Sequence, residues 1–134
     1  MGPVEAVLSR VAHHQYQGEG TRLCGQACVA MALGVSLEDS IRLIGHSHGT
    51  RTKELTAALG LPGEMCRRLP LTDFCIARVR SGENASFHWV LVDGFTIHDP
   101  VFDDGVDVAV WSRVVEWCGA RVTSRIDLSA MLGR

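Results

Sequence analysis

Apolar residues recur at helical spacing through the first half of the chain and alternate, as in strands, through the second. The clearest helix is Cys24–Leu33 (CGQACVAMAL), whose Ala, Met and Leu are strong helix formers, uncharged, and stopped by Gly34. Lacking a polar face, it is predicted to be buried on all sides. Ser36-Leu-Glu-Asp39 reads as a capping box opening a second helix through Ile44, and Thr50 or Thr52 opens a third that ends at Gly60. A short helix is also expected near Pro3–Val11, followed by a polar, glycine-containing loop from His13 to Gly20.

Phe74–Arg80, Phe87–Val92 and Phe95–Asp99 read as strands, with Ile76 partly out of strict alternation. Asp93-Gly94 is a two-residue hairpin signal between the last two. Val106–Val110 is a further candidate strand. Trp111, Val114, Val115 and Cys118 fall at helical spacing, and Arg121–Asp127 alternates weakly, as an edge strand would. Helices first and strands later predict an α+β fold. With no repeat or linker, residues 1–134 are expected to form a single domain.

Composition narrows the function classes. A net charge of -2 and a pI near 6.3 supply no basic field for nucleic acid or an anionic membrane. The longest uncharged run, Leu23 to Leu37, is too short to span a bilayer. The first residues lack the basic start and apolar stretch of a signal peptide, so a cytoplasmic location is expected, although a specialised secretion route would leave no such mark. The five cysteines (24, 28, 66, 75 and 118) are an odd set without a secretion signal, and they read as thiols rather than a disulfide framework.

Cys24 stands where a polar loop turns into a buried helix. The unpaired backbone N–H groups at a helix start lower a thiol pKa and stabilise a developing oxyanion. The competing reading is a small buried apolar residue, which suits Cys28 one turn on. The hairpin supplies a base. If Asp93-Gly94 forms the turn, Val92 faces Phe95, Val90 meets Ile97, Trp89 meets His98 and His88 meets Asp99. Opposed residues lie with Cβ atoms roughly 5 Å apart. His88 and Asp99 are thus expected to hydrogen-bond, on a face continued by Val90, Val92, Ile97 and Phe95. Such a carboxylate fixes the ring tautomer and favours a thiolate–imidazolium pair. His98, the weaker base candidate, points to the opposite face.

Gln17 and Cys24-Gly-Gln-Ala-Cys-Val-Ala-Met-Ala-Leu-Gly34, followed by His88-Trp-Val-Leu-Val92 and His98-Asp99-Pro100, resemble the papain-like double-glycine leader peptidases. These are best known as processing domains of bacteriocin exporters, and similar free-standing bacterial and phage proteins share the fold. The resemblance runs from Gln17 to about Trp117 and includes Gly49-Thr50 and Leu55–Gly60. It implies a papain-like fold with an N-terminal nucleophile helix packed on a C-terminal antiparallel sheet. Cys24 would be the nucleophile, His88 the base, Asp99 its orienter, and Gln17 an oxyanion-hole donor beside the Cys24 N–H, with Gln15 as a competitor. The chain departs from the family in having Leu23 where Asp often precedes the nucleophile, and in a Gln17–Cys24 spacing one residue longer. The expected partner is a peptide or protein substrate, with no cofactor and no metal.

Four alternatives stand beside this reading. A papain-like domain can lose turnover and serve as a binding module for peptide tails. The same triad can also deamidate or transfer acyl groups, since each reaction passes through a thioester. Cys24-x-x-x-Cys28 with His46-x-His48 could hold zinc, but the spacing matches no familiar ribbon or finger. Three residues between Cys24 and Cys28, rather than two, disfavour thioredoxin-like redox chemistry.

Overall fold

The computed structural model describes residues 11–67, 74–80, 87–117 and 119–131. The helix expected near Pro3–Val11 and the Cys118 position lie outside them, Val11 excepted. Among the described residues three helices come first: α1 (Cys24–Leu33), α2 (Leu37–Ile44) and α3 (Thr52–Leu59). Strands β1 (Gly63–Met65), β2 (Phe74–Arg80), β3 (Phe87–Asp93), β4 (Thr96–His98) and β5 (Val106–Asp107) follow, then α4 (Val108–Trp117), β6 (Arg121–Asp127) and a 3-10 turn, Ser129–Met131. The fold is α+β. The six strands among the described residues form one antiparallel sheet in the order β1-β6-β2-β3-β4-β5.

The helix boundaries follow the local chemistry. Gly34 ends α1 in the left-handed conformation that glycine adopts without steric cost. Ser36 caps α2 by accepting the Asp39 N–H. Glu54 reaches back to accept the Arg51 N–H at 2.8 Å at the start of α3. Helix α1 is buried from Gly25 to Met31, as its uncharged sequence requires.

Two apolar clusters sandwich the sheet. On one face Cys28, Val29 and Met31 of α1 pack with Leu55, Ile76, Trp89, Leu91 and Ile126. On the other, Val108 and Trp111 of α4 pack with Ala77, Val79, Val90, Val92 and Ile97. Strand β2 is therefore buried on both sides, which explains why its sequence does not alternate strictly.

Three expectations need correction. Arg121–Asp127 is not an edge strand: it lies between β1 and β2. A register shift opposite Arg78/Val79 leaves Thr123 as the extra residue, so Val122 faces one cluster and Ile126 the other. That bulge is the reason for its weak alternation. The expected strand Val106–Val110 stops at Asp107, whose carboxylate accepts the Ala109 N–H at 2.8 Å and so caps α4.

The hairpin turn is also displaced. Asp93 pairs with Thr96, Val92 with Ile97 and Leu91 with His98, so the two turn residues are Gly94 and Phe95. Asp93 stays in β3 because its side chain is buried and accepts the Val11 N–H at 2.8 Å. Phe95 is exposed and belongs to neither cluster.

Candidate active site

Cys24 is the first residue of α1. Leu23 precedes it and offers no side-chain cap, so the amides at this helix start keep their hydrogen-bonding capacity. The thiol is only partly exposed. The His88 side chain and the backbone N–H groups of Trp89 and Gly25 lie close enough to favour its thiolate.

His88 stands near the start of β3 with 29% of its side chain exposed. Its Nε2–H donates to Asp99 Oδ1 at 2.5 Å, leaving Nδ1 as the ring nitrogen for Cys24. The register expected to juxtapose His88 and Asp99 is off by two residues. Continued past His98, the observed register places Asp99 across from Val90 rather than His88. A shift of two preserves the face, and His88 reaches the carboxylate along the diagonal, where a long side chain still makes contact.

Asp99 is held from three directions. Besides His88, the Val101 N–H donates to Oδ1 at 3.2 Å and the Trp111 indole N–H donates to Oδ2 at 3.0 Å. Sequence reasoning missed Trp111. Its only signal was an aromatic with a polar edge on an amphipathic helix, which packing alone accounts for.

The electrostatics favour an ion pair. Burial, the largest single influence on Cys24, opposes the thiolate. The hydrogen bond and charge of His88, with the Trp89 and Gly25 amides, outweigh it and hold the thiol below its ordinary value. Burial likewise opposes the charged form of His88, but Asp99 and Cys24 raise its pKa to about 10. For Asp99, burial opposes ionisation, and the His88, Trp111 and Val101 hydrogen bonds keep the carboxyl below its usual range. One turn along α1, fully buried Cys28 has its thiol pushed well above the ordinary value, first by burial and then by the negative groups nearby. The two cysteines thus occupy opposite chemical environments.

A cleft of roughly 520 Å³ opens onto this group, lined by Gln17, Thr21, Arg22, Gly49, Thr50 and Phe87 beside Cys24 and His88. Gln17 is buried at its edge, with its N–H donating to Pro100 O and its Nε2 donating to Thr21 O, both at 2.8 Å. Gln15 lies away from this cleft, against a cavity lined by Met31 and Val35, and its Nε2 donates to Tyr16 O. Phe87 at the rim is covered by the Arg78 guanidinium, 3.5 Å from the ring centroid.

His98 takes no part. It lies on the Leu91 side of the sheet, where its Nδ1 meets His14 Nδ1 at 2.9 Å. His14 Nε2 donates to Phe102 O at 2.7 Å, so in the neutral pair His98 Nδ1–H is the donor between the rings. His46 and His48 stack with centroids 3.8 Å apart in the connection between α2 and α3, and His46 Nε2 is engaged by Glu54. Among the described residues no group of three or more His, Cys, Asp or Glu is arranged to hold a metal ion. No helix among them is long and apolar enough to cross a membrane.

Comparison with protein-family models, with curated proteins and with solved structures finds no match.

Proposed function

We propose that this chain is a papain-like cysteine hydrolase that cleaves a peptide or amide bond through a thioester on Cys24. The observation that carries the proposal is the His88 ring, held by Asp99 through Nε2 and facing the same cleft as Cys24, whose thiolate it favours. An incidental surface histidine needs neither partner. A thiol at an uncapped helix start with an imidazole beside it is the arrangement that activates a sulfur nucleophile. The order along the chain, nucleophile helix first and then a sheet bearing base and orienter, agrees with the papain-like arrangement that the sequence resembles.

In the proposed reaction the Cys24 thiolate attacks the substrate carbonyl, forming the C–S bond as the carbonyl electrons move onto oxygen. The Cys24 N–H and the second hydrogen of Gln17 Nε2 receive that oxyanion. Collapse breaks the C–N bond, and the imidazolium of His88 gives its Nδ1 proton to the departing amine. Neutral His88 then takes a proton from water, which attacks the thioester, releases the acid and restores the ion pair. Asp99 keeps the ring oriented throughout, and Trp111 holds Asp99.

The test is a tryptic peptide mixture incubated with the wild type and with Cys24→Ala, read by mass spectrometry for new termini and for an acyl adduct on residue 24. Cleavage or deamidation by the wild type alone is expected. If neither occurs and Cys24 reacts with iodoacetamide no faster than an ordinary thiol, the proposal is wrong.

A further inference from the structure

The cleft contains a polar group that the reaction above does not use. Thr50 forms part of its wall, and the Thr50 hydroxyl oxygen is buried without a hydrogen-bond partner. Folded chains rarely leave a buried hydroxyl unsatisfied, because it has lost water and gained nothing in return. An orphan of this kind beside a nucleophile has an explanation if a bound ligand completes it.

The surrounding structure holds Thr50 in place. Gln26, fully buried on α1, donates its Nε2 hydrogens to the carbonyls of His46 at 3.0 Å and His48 at 2.9 Å. Ser40 Oγ in turn donates to Gln26 O at 2.7 Å. The segment entering Thr50 is thus pinned to the nucleophile helix, and on the other side Arg51 is tied to Glu54.

At the point of contact α1 carries Gly25. A Cβ there would lie 1.9 Å from the Thr50 hydroxyl oxygen and 3.0 Å from its Cβ. Glycine weakens a helix, so its use next to the nucleophile is accounted for by this close approach. The hydroxyl is brought against the first turn of α1, one residue beyond Cys24.

We propose that Thr50 is a substrate-binding residue whose hydroxyl hydrogen-bonds a backbone amide of the acyl chain, fixing the scissile carbonyl over Cys24. A hydroxyl both donates and accepts, so it suits either edge of a peptide unit, and an extended chain presents such a unit next to every scissile bond. The inference rests on the hydrolase reading and deepens it.

The experiment compares wild type, Thr50→Val and Thr50→Ser in the full chain, using two Cys24-directed reagents. Acetyl-Gly-Gly chloromethyl ketone offers backbone amides and no side chains, whereas iodoacetamide offers no peptide chain. Thr50→Val is expected to slow inactivation by the ketone about fivefold to tenfold, the effect of one hydrogen bond. Its iodoacetamide rate should stay within about twofold of wild type, Thr50→Ser should recover most of the ketone rate, and thermal stability should not fall. An unchanged ketone rate in Thr50→Val would overturn the proposal. So would an equal loss with both reagents together with a lower melting temperature, which would mark the hydroxyl as structural. A wild-type Cys24 that reacts with both reagents no faster than an ordinary thiol refutes the hydrolase reading itself, and the role of Thr50 falls with it.

Discussion

Asp99→Asn separates the charge of the orienting residue from its shape. The carboxylate accepts from His88, Val101 and Trp111, and the isosteric amide can keep one acceptor oxygen on His88. What it loses is the negative charge beside the imidazolium. A hydrogen bond to a charged group contributes about 1.5–3 kcal/mol, equivalent to about one to two pKa units. The His88 midpoint should therefore fall from about 10 to between about 8 and 9.

Proton NMR of the His88 ring across pH 5 to 11 reads this directly. Stability should change in parallel. Because the folded pKa lies above the unfolded value of 6.5, His88 contributes stability that is full below pH 6.5 and lost as pH rises toward 10. Asp99→Asn should flatten that fall in urea denaturation curves. The amide also turns N–H groups toward the Trp111 N–H or toward His88, so an additional loss of about 1–3 kcal/mol is expected at pH 7. A midpoint that stays near 10 in the variant would refute the role assigned to Asp99. A wild-type midpoint near 6.5 would refute the ion pair.

Other perturbations probe the same framework. Trp111→Phe removes the indole donor from Asp99 Oδ2 and should cost roughly 1–3 kcal/mol in urea denaturation, while a loss below about 0.5 kcal/mol would show that the bond contributes little. Gly25→Ala forces a methyl against Thr50, and overpacking of this kind costs about 1–3 kcal/mol despite alanine's better helix propensity. Its melting temperature should drop and partly recover in the Gly25→Ala/Thr50→Gly double variant; no drop would contradict the close contact. Cys24→Ala should leave the urea midpoint nearly unchanged and lower the His88 NMR midpoint, since one of two anionic neighbours is gone. An unmoved midpoint would disconnect the two side chains.

Local signals in the sequence were strong where a single residue type dictated geometry. Gly34 and Ser36 marked helix ends correctly because glycine conformation and hydroxyl capping act within a few residues. Register was a different matter. Asp93-Gly94 looked like the turn, but the Val11 backbone, distant in sequence, holds the Asp93 carboxylate and moves the turn one residue along. His88 and Asp99 still meet, because a register error of two leaves the face unchanged. The Thr123 bulge and the second apolar layer under α4 were not legible, since both arise from strands and helices meeting across the sheet. Trp111 and Thr50 were hidden for the same reason: each has an ordinary local role, and only the folded neighbourhood gives it a chemical one.

Apart from the Gly25 amide, the contacts that lower the Cys24 pKa come from far along the chain. His88, the Trp89 amide and, behind them, Asp99 and Trp111 are all synthesised well after Cys24. A growing chain that has made α1 but not β3 carries a thiol with no imidazole beside it, on a helix whose apolar faces have no sheet to cover them. Ionisation of Cys24 therefore reports completion of the fold. Until the sheet closes, the sulfur keeps only the Gly25 amide among the contacts that favour its thiolate, so the full lowering of its pKa waits on β3.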